Sequence, residues 1–198
     1  MKTTRATRAV KPATRASTTA PRSARAETGA KGRPSQPKVG SPAPSFSLPA
    51  DSGGEVTLAG QKGKWVVLYF YPRDNTPGCT RQAIAFQGAA AALKRRGAVV
   101  LGVSRDSIAS HCGFKEKQGL RFPLLSDPDS KVHKLYGAYG DKMMYGKKVT
   151  GALRTTAVIA PDGKLHRLFA NVKVDGHADA VLAAIDAAKQ PGSSASRG

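Results

Sequence analysis

The sequence predicts an α/β domain with a central mixed sheet and helices on both faces, behind a basic tail. Three observations carry that prediction. Two apolar runs, Trp65–Tyr71 and Ala98–Val103, have the unbroken hydrophobicity of strands covered on both faces. Stretches of helical spacing follow each of them. Pro161-Asp162-Gly163 then joins two short apolar segments, which is a strong hairpin signal. A chain of 198 residues, 40% hydrophobic and 23% charged, is long enough for one core and a tail.

The elements follow in order. Ser41–Leu48 is an extended lead-in, and Glu55–Leu58 is a short strand after the Ser52-Gly53-Gly54 turn. Trp65–Tyr71 is the first central strand. The loop Pro72–Gly78 leads to a helix from Cys79 to Arg96, where Ala83, Ile84, Phe86, Ala89, Ala90 and Leu93 recur at helical spacing and Gly97 ends it. Ala98–Val103 is the second central strand. A helix runs from Ser107 to about Lys117 and stops at Gly119. Phe122–Ser126 is an edge segment, because Pro123 bars a central position. Asp129–Tyr136 reads as a helix and Gly140–Lys148 as a polar loop. Thr155–Ile159 and Lys164–Phe169 form the hairpin, and Ala178–Ala188 is the last helix.

Residues 1–38 hold ten Lys and Arg against one acid, Glu27, and no Leu, Ile, Phe, Tyr or Trp. Such a segment has little to bury against its ordering entropy and is expected to be disordered. It supplies about half of the net charge of +19. An inert solubilising leader, an organelle transit signal and a weak nucleic-acid contact all remain open for it. The domain itself is expected over residues 39–190, with a flexible Gly/Ser-rich end over 191–198. No stretch approaches the ~18 apolar residues of a membrane span, and the N-terminus lacks an apolar signal region. The expectation is a cytoplasmic protein, with nuclear or organelle targeting by the tail left open.

The composition excludes several chemistries. Two cysteines, Cys79 and Cys112, do not make a disulfide scaffold, and no Cys-x-x-Cys is present. His111, His133, His166 and His177 lack metal-ligand spacing, and no phosphate-binding glycine loop occurs. No metal and no cofactor are therefore expected. Redox or nucleophilic work at a thiol is what remains, beside the alternative of two inert thiols.

Cys79 is the better placed of the two. It lies where a loop turns into a helix behind a buried strand, so free N–H groups and the positive helix end favour its thiolate. Pro72 and Pro77 stiffen the loop, Gly78 allows a tight turn, and Thr76 sets a hydroxyl three residues before the sulfur. Gln82, one turn on, contacts the loop or faces water.

Tyr69-Phe70-Tyr71-Pro72-Arg73-Asp74-Asn75-Thr76-Pro77-Gly78-Cys79-Thr80 resembles the active-site segment of peroxiredoxins, with their Pro-x-x-x-Thr-x-x-Cys pattern. The fuller Tyr-Pro-x-x-x-Thr-Pro-Gly-Cys-Thr form is similar to the peroxiredoxin Q branch, also called bacterioferritin comigratory protein. The likeness continues through Leu101–Ser107, Phe122–Asp127, Met144–Lys148, Arg154–Thr156 and Ile159–Gly163, and covers about residues 38–188. It implies a thioredoxin-like fold and reduction of hydrogen peroxide and organic hydroperoxides. It implies that Cys79 is the peroxidatic nucleophile, that Thr76 bonds the peroxide and holds the thiolate, that Pro72 shields the sulfur from water, and that Arg154 leans over it. Apart from the resemblance, Arg154 reads as a surface ion-pair partner. Many members of the branch carry a second cysteine five residues after the first; here Ile84 stands there. Cys112 is the remaining candidate to resolve the sulfenic acid, with an outside thiol as the alternative. The resemblance implies thioredoxin or another thiol as reductant and a monomer. The competing functional reading is a redoxin-like binding protein, anchored to nucleic acid by its tail, with little catalysis.

Overall fold

The structure, a computed structural model, describes residues 36–144 and 146–189. Nearly all of the basic tail expected over 1–38, and the flexible end expected over 191–198, lie outside the described residues.

Two short strands, β1 (Ser47–Pro49) and β2 (Glu55–Thr57), pair antiparallel. They lead into β3 (Trp65–Phe70), α1 (Pro77–Arg95), β4 (Ala98–Ser104), α2 (Ile108–Gln118), β5 (Leu124–Ser126) and α3 (Lys131–Leu135). A hairpin of β6 (Tyr139–Met144) and β7 (Lys147–Ala152) follows, then β8 (Thr155–Ile159), β9 (Leu165–Phe169) and α4 (His177–Lys189). The main sheet has the order β5-β4-β3-β8-β9. β3–β4 and β4–β5 are parallel; β3–β8 and β8–β9 are antiparallel. The mixed sheet expected from the apolar runs and the closing hairpin is present.

Alternation along β3 divides the core. Trp65, Val67, Tyr69 and Tyr71 face one layer with Phe86 of α1, Phe114 of α2 and Val181 and Ile185 of α4. Val66, Leu68 and Phe70 face the other, with Val132 and Tyr136 at α3 and Phe46 and Leu48 from the lead-in. All six residues of β3 are buried, which explains their unbroken hydrophobicity.

Three sequence expectations are corrected. α1 starts two residues before Cys79, at Pro77, because a proline at the first helical position lacks only an N–H that would have no partner anyway. The expected Asp129–Tyr136 helix shrinks to Lys131–Leu135: Ser130 is left-handed at φ 56°, and the Asp127 carboxylate accepts from the N–H groups of Lys131 and His133. The segment Gly140–Lys148, expected as a loop, lies in the β6–β7 hairpin, turning at Gly146 with φ 76°. Among the described residues that hairpin pairs only with itself, and it stays largely exposed, so its Lys and Gly residues leave no alternating pattern. The edge position expected for Phe122–Ser126 holds, since β5 is outermost. Among the described residues no helix is long and apolar enough to cross a membrane.

Candidate active site

The site is built at the C-terminal end of β3. Tyr71 still donates its N–H to Val103 O, at 3.1 Å, and then the chain leaves the sheet. Tyr71 also donates its hydroxyl to Asp74 Oδ1, at 2.7 Å, and the Asp74 N–H donates to Asp106 Oδ2, at 2.8 Å. Asn75 takes a left-handed turn at φ 56°, and Pro77 opens α1. The loop is therefore held by Asp74 from within and by Asp106 from beyond β4 before the helix begins.

Cys79 is the third residue of α1 and is buried, at 1% exposure. Thr80 makes the first bond of the helix, to Thr76 O, so the N–H groups of Gly78 and Cys79 have no acceptor within the helix. They and the helix dipole favour an anion at this point. Arg154 supplies the opposite charge. Its Nη2 stands 3.6 Å from Cys79 Sγ, and its Nη1 donates to Gln82 Oε1 at 2.7 Å. Gln82 is buried, and its amide nitrogen has no partner among the described residues.

Topology explains how Arg154 arrives. It directly precedes β8 rather than lying within it, and Phe70 pairs with Thr155. That register sets Arg154 beside the end of β3, where the Cys79 loop departs. A Cβ added to Gly78 would stand 3.1 Å from Arg154 Nη2. Gly78 thus contributes space for the guanidinium from within the helix, a different role from the tight turn expected of it.

Two buried groups border this arrangement. The Tyr69 hydroxyl has no hydrogen-bond partner among the described residues, and burial first, then the charge at Cys79, pushes that phenol well above its ordinary range. His177 sits edge-on to Phe86 and Phe169, with Nε2 2.8 Å from Thr156 Oγ1. Burial, and then the charge of Arg154, lowers it to about 4, so the ring is neutral.

The remaining sequence candidates divide. Thr76 is half-buried at the helix cap, and its hydroxyl donates to Arg73 O at 3.2 Å rather than to the sulfur. Pro72 is half-buried directly after Tyr71. Cys112 lies on α2, exposed, with Sγ 3.7 Å from Asp51 O. Both thiols are free, so the structure does not join them. Sequence reasoning left Gln82 undecided and missed Tyr69 and His177. The spacing of three from Cys79 was the available signal for Gln82, since residues three apart share a helix face. His177 had none, being distant in sequence and placed by α4.

A buried nucleophile under a guanidinium, with spare N–H groups beside it, can attack an electrophilic atom and stabilise charge on what leaves. The model of the AhpC/TSA family matches residues 39–168. The peroxiredoxin Bcp of Xanthomonas campestris is 47% identical over 152 residues, which is 75% of this chain and 95% of that protein. A solved structure of the bacterioferritin comigratory protein of Xanthomonas campestris, described for its alkyl peroxide reduction activity, superposes with a TM-score of 0.70 at 43% identity, covering 73% of this chain and 92% of that one. That organism's peroxiredoxin Q is also known as two cysteine-to-serine mutants, with TM-scores of 0.69 and 0.70, at 44% and 43% identity. They cover 72% and 73% of this chain and 91% and 92% of those chains.

Proposed function

We propose, from the premise that this chain belongs to the AhpC/TSA family and is a thiol-dependent peroxidase, that Cys79 is its attacking nucleophile. The Cys79 thiolate attacks the terminal oxygen of a hydroperoxide. The S–O bond forms as the O–O bond breaks, and the departing alkoxide or hydroxide takes up one proton. Cys79 is oxidised to the sulfenic acid, and the peroxide is reduced to an alcohol or water. Arg154 and the N–H groups of Gly78 and Cys79 hold the starting anion and then the charge on the leaving oxygen. Pro72 limits water at the sulfur, and Thr76 turns its hydroxyl toward the peroxide. Hydrogen peroxide and organic hydroperoxides are both substrates.

The second step returns the thiol. Cys112 condenses with the Cys79 sulfenic acid, forming a disulfide and releasing water. A disulfide needs Cα atoms within ~7 Å, so the first turn of α1 and part of α2 must unwind. An external dithiol, thioredoxin, then reduces the disulfide. The protein acts as a monomer in the cytoplasm, and its basic tail makes at most a weak, salt-dependent contact with nucleic acid.

The observation that carries the reading is the approach of Arg154 Nη2 to the buried Cys79 sulfur at 3.6 Å. A peroxide-consumption assay with thioredoxin and its reductase tests it. Cys79→Ser abolishes turnover, whereas deletion of residues 1–38 preserves it. Turnover that survives Cys79→Ser contradicts the reading. Non-reducing electrophoresis after peroxide, for wild type against Cys112→Ser, tests the resolving step.

A further inference from the structure

We infer that His111 is a positioning residue that ties the Cys112 helix to the Cys79 loop, so that the two segments come loose together. The inference rests on the resolving role proposed for Cys112.

His111 is fully buried on α2, immediately before Cys112. Its Nδ1 lies 2.8 Å from Asp74 Oδ2, and its Nε2 lies 3.2 Å from Leu125 O. Asp74 belongs to the loop before Cys79. The same Oδ2 accepts the Ser110 hydroxyl at 2.7 Å, and Oδ1 accepts the Tyr71 hydroxyl. One buried carboxylate of the peroxidatic loop is thus bonded by two consecutive residues of the other cysteine's helix. Hydrogen bonds to the Asp74 carboxylate from His111, Tyr71 and Ser110 hold it below the usual range against its burial, so it is ionised.

The rest of α2 is held differently. Lys115 pairs with Asp51 at 2.6 Å, and Phe114 is buried in the core. Cys112 itself points outward, toward Asp51 O. Asp106, just ahead of α2, also meets this loop, accepting from the Asp74 N–H at 2.8 Å and facing Arg73 at 4.0 Å, but within α2 itself the polar contacts to the loop of Cys79 among the described residues are those of Ser110 and His111 to Asp74. Unwinding the first turn of α1 displaces this loop and its carboxylate. His111 then keeps a buried ring nitrogen without a partner, an arrangement that costs far more than an exposed one. The N-terminal half of α2 is released with it. Coupling of this kind is reciprocal, so weakening the contact from the α2 side also lowers the cost of bringing Cys112 to Cys79.

The test separates the two chemical steps. His111→Phe keeps the ring volume and removes both hydrogen bonds; Ser110→Ala, at a half-buried position, removes one and serves if the first variant does not fold. Rapid-quench mass spectrometry follows Cys79 sulfenic acid and then the disulfide. The expected result is a first-step rate within twofold of wild type, with disulfide formation at least fivefold faster and less sulfinic acid at high peroxide. Native-state hydrogen exchange is expected to show reduced protection over residues 108–118 in Asp74→Asn, with α4 unchanged. Unaltered disulfide formation in both variants overturns the inference. If wild type forms no Cys79–Cys112 disulfide, the resolving role falls on its own. The tie is then judged by exchange: loss of α2 protection in Asp74→Asn supports it, and full protection overturns it.

Discussion

Gly78 lies directly beneath Arg154, where a methyl group would come within 3.1 Å of Nη2, the nitrogen that faces the Cys79 sulfur. A helical glycine ordinarily costs stability, so this position exchanges helix propensity for room. Gly78→Ala is expected to leave the melting temperature unchanged or slightly higher. It is also expected to slow the reaction of Cys79 with peroxide by roughly tenfold, because the guanidinium must shift by a few tenths of an ångström. Stopped-flow peroxide kinetics beside a thermal melt check both halves.

Arg154 is expected to matter more than any other single side chain around the sulfur. Arg154→Met removes the charge-assisted donor at Cys79 and frees Gln82 Oε1. Loss of one such preorganised donor costs about 100- to 1,000-fold in rate. Gln82→Ala, which leaves the charge but not its tether, should fall between Arg154→Met and wild type. Second-order rate constants for hydrogen peroxide measure the order.

Gly102 has a packing role. It pairs with Tyr69 across β3 and β4, and a Cβ there would lie 2.7 Å from Leu124 Cδ2 and 2.8 Å from the Tyr69 hydroxyl. Overpacking of this kind costs ~1–3 kcal/mol, so Gly102→Ala should lower the urea midpoint accordingly. Tyr69→Phe removes a hydroxyl that has no partner among the described residues, and should leave stability unchanged or raise it.

His177 gives a pH dependence. Its folded value of about 4 lies below the ordinary 6.5, with burial as the main cause. Above about pH 6.5 both folded and unfolded chains hold it neutral, and its contribution is complete. As pH falls from there through about 4, the unfolded chain takes up a proton that the folded chain resists, and stability declines. At ~1.4 kcal/mol per pH unit the loss is on the order of 2–3 kcal/mol. Asp74 and Asp127, held below the usual carboxylate range, keep their contribution through this window and lose it only at lower pH. Urea melts of wild type and His177→Asn between about pH 7 and 4.5 should show the slope in the first protein and its reduction in the second.

The two central strands were readable because β3 and β4 are covered on both faces and need apolar side chains throughout. The ends of α2 were readable because Ser107 caps it and Gly119 stops it in a left-handed turn. The β6–β7 hairpin was not, because a ribbon that buries little needs no pattern. Cys79 could be placed from the loop-to-helix change alone. Arg154 could not, since its place depends on the pairing of Phe70 with Thr155 across a long sequence separation. Resemblance supplied that residue, and the sheet register supplies the reason. Gly78 and Gln82 both lie against Arg154, so their place at the site stayed hidden until the register was known.

One reaction tests the central claim most directly. Cys112→Ser protein is treated with one equivalent of hydrogen peroxide, trapped with a sulfenic-acid reagent and digested for mass spectrometry. One reagent adduct is expected at Cys79, marking a sulfenic acid formed as the peroxide disappears and much slower to form when Arg154 is replaced by Met. Peroxide that persists beside an unmodified Cys79 would contradict it.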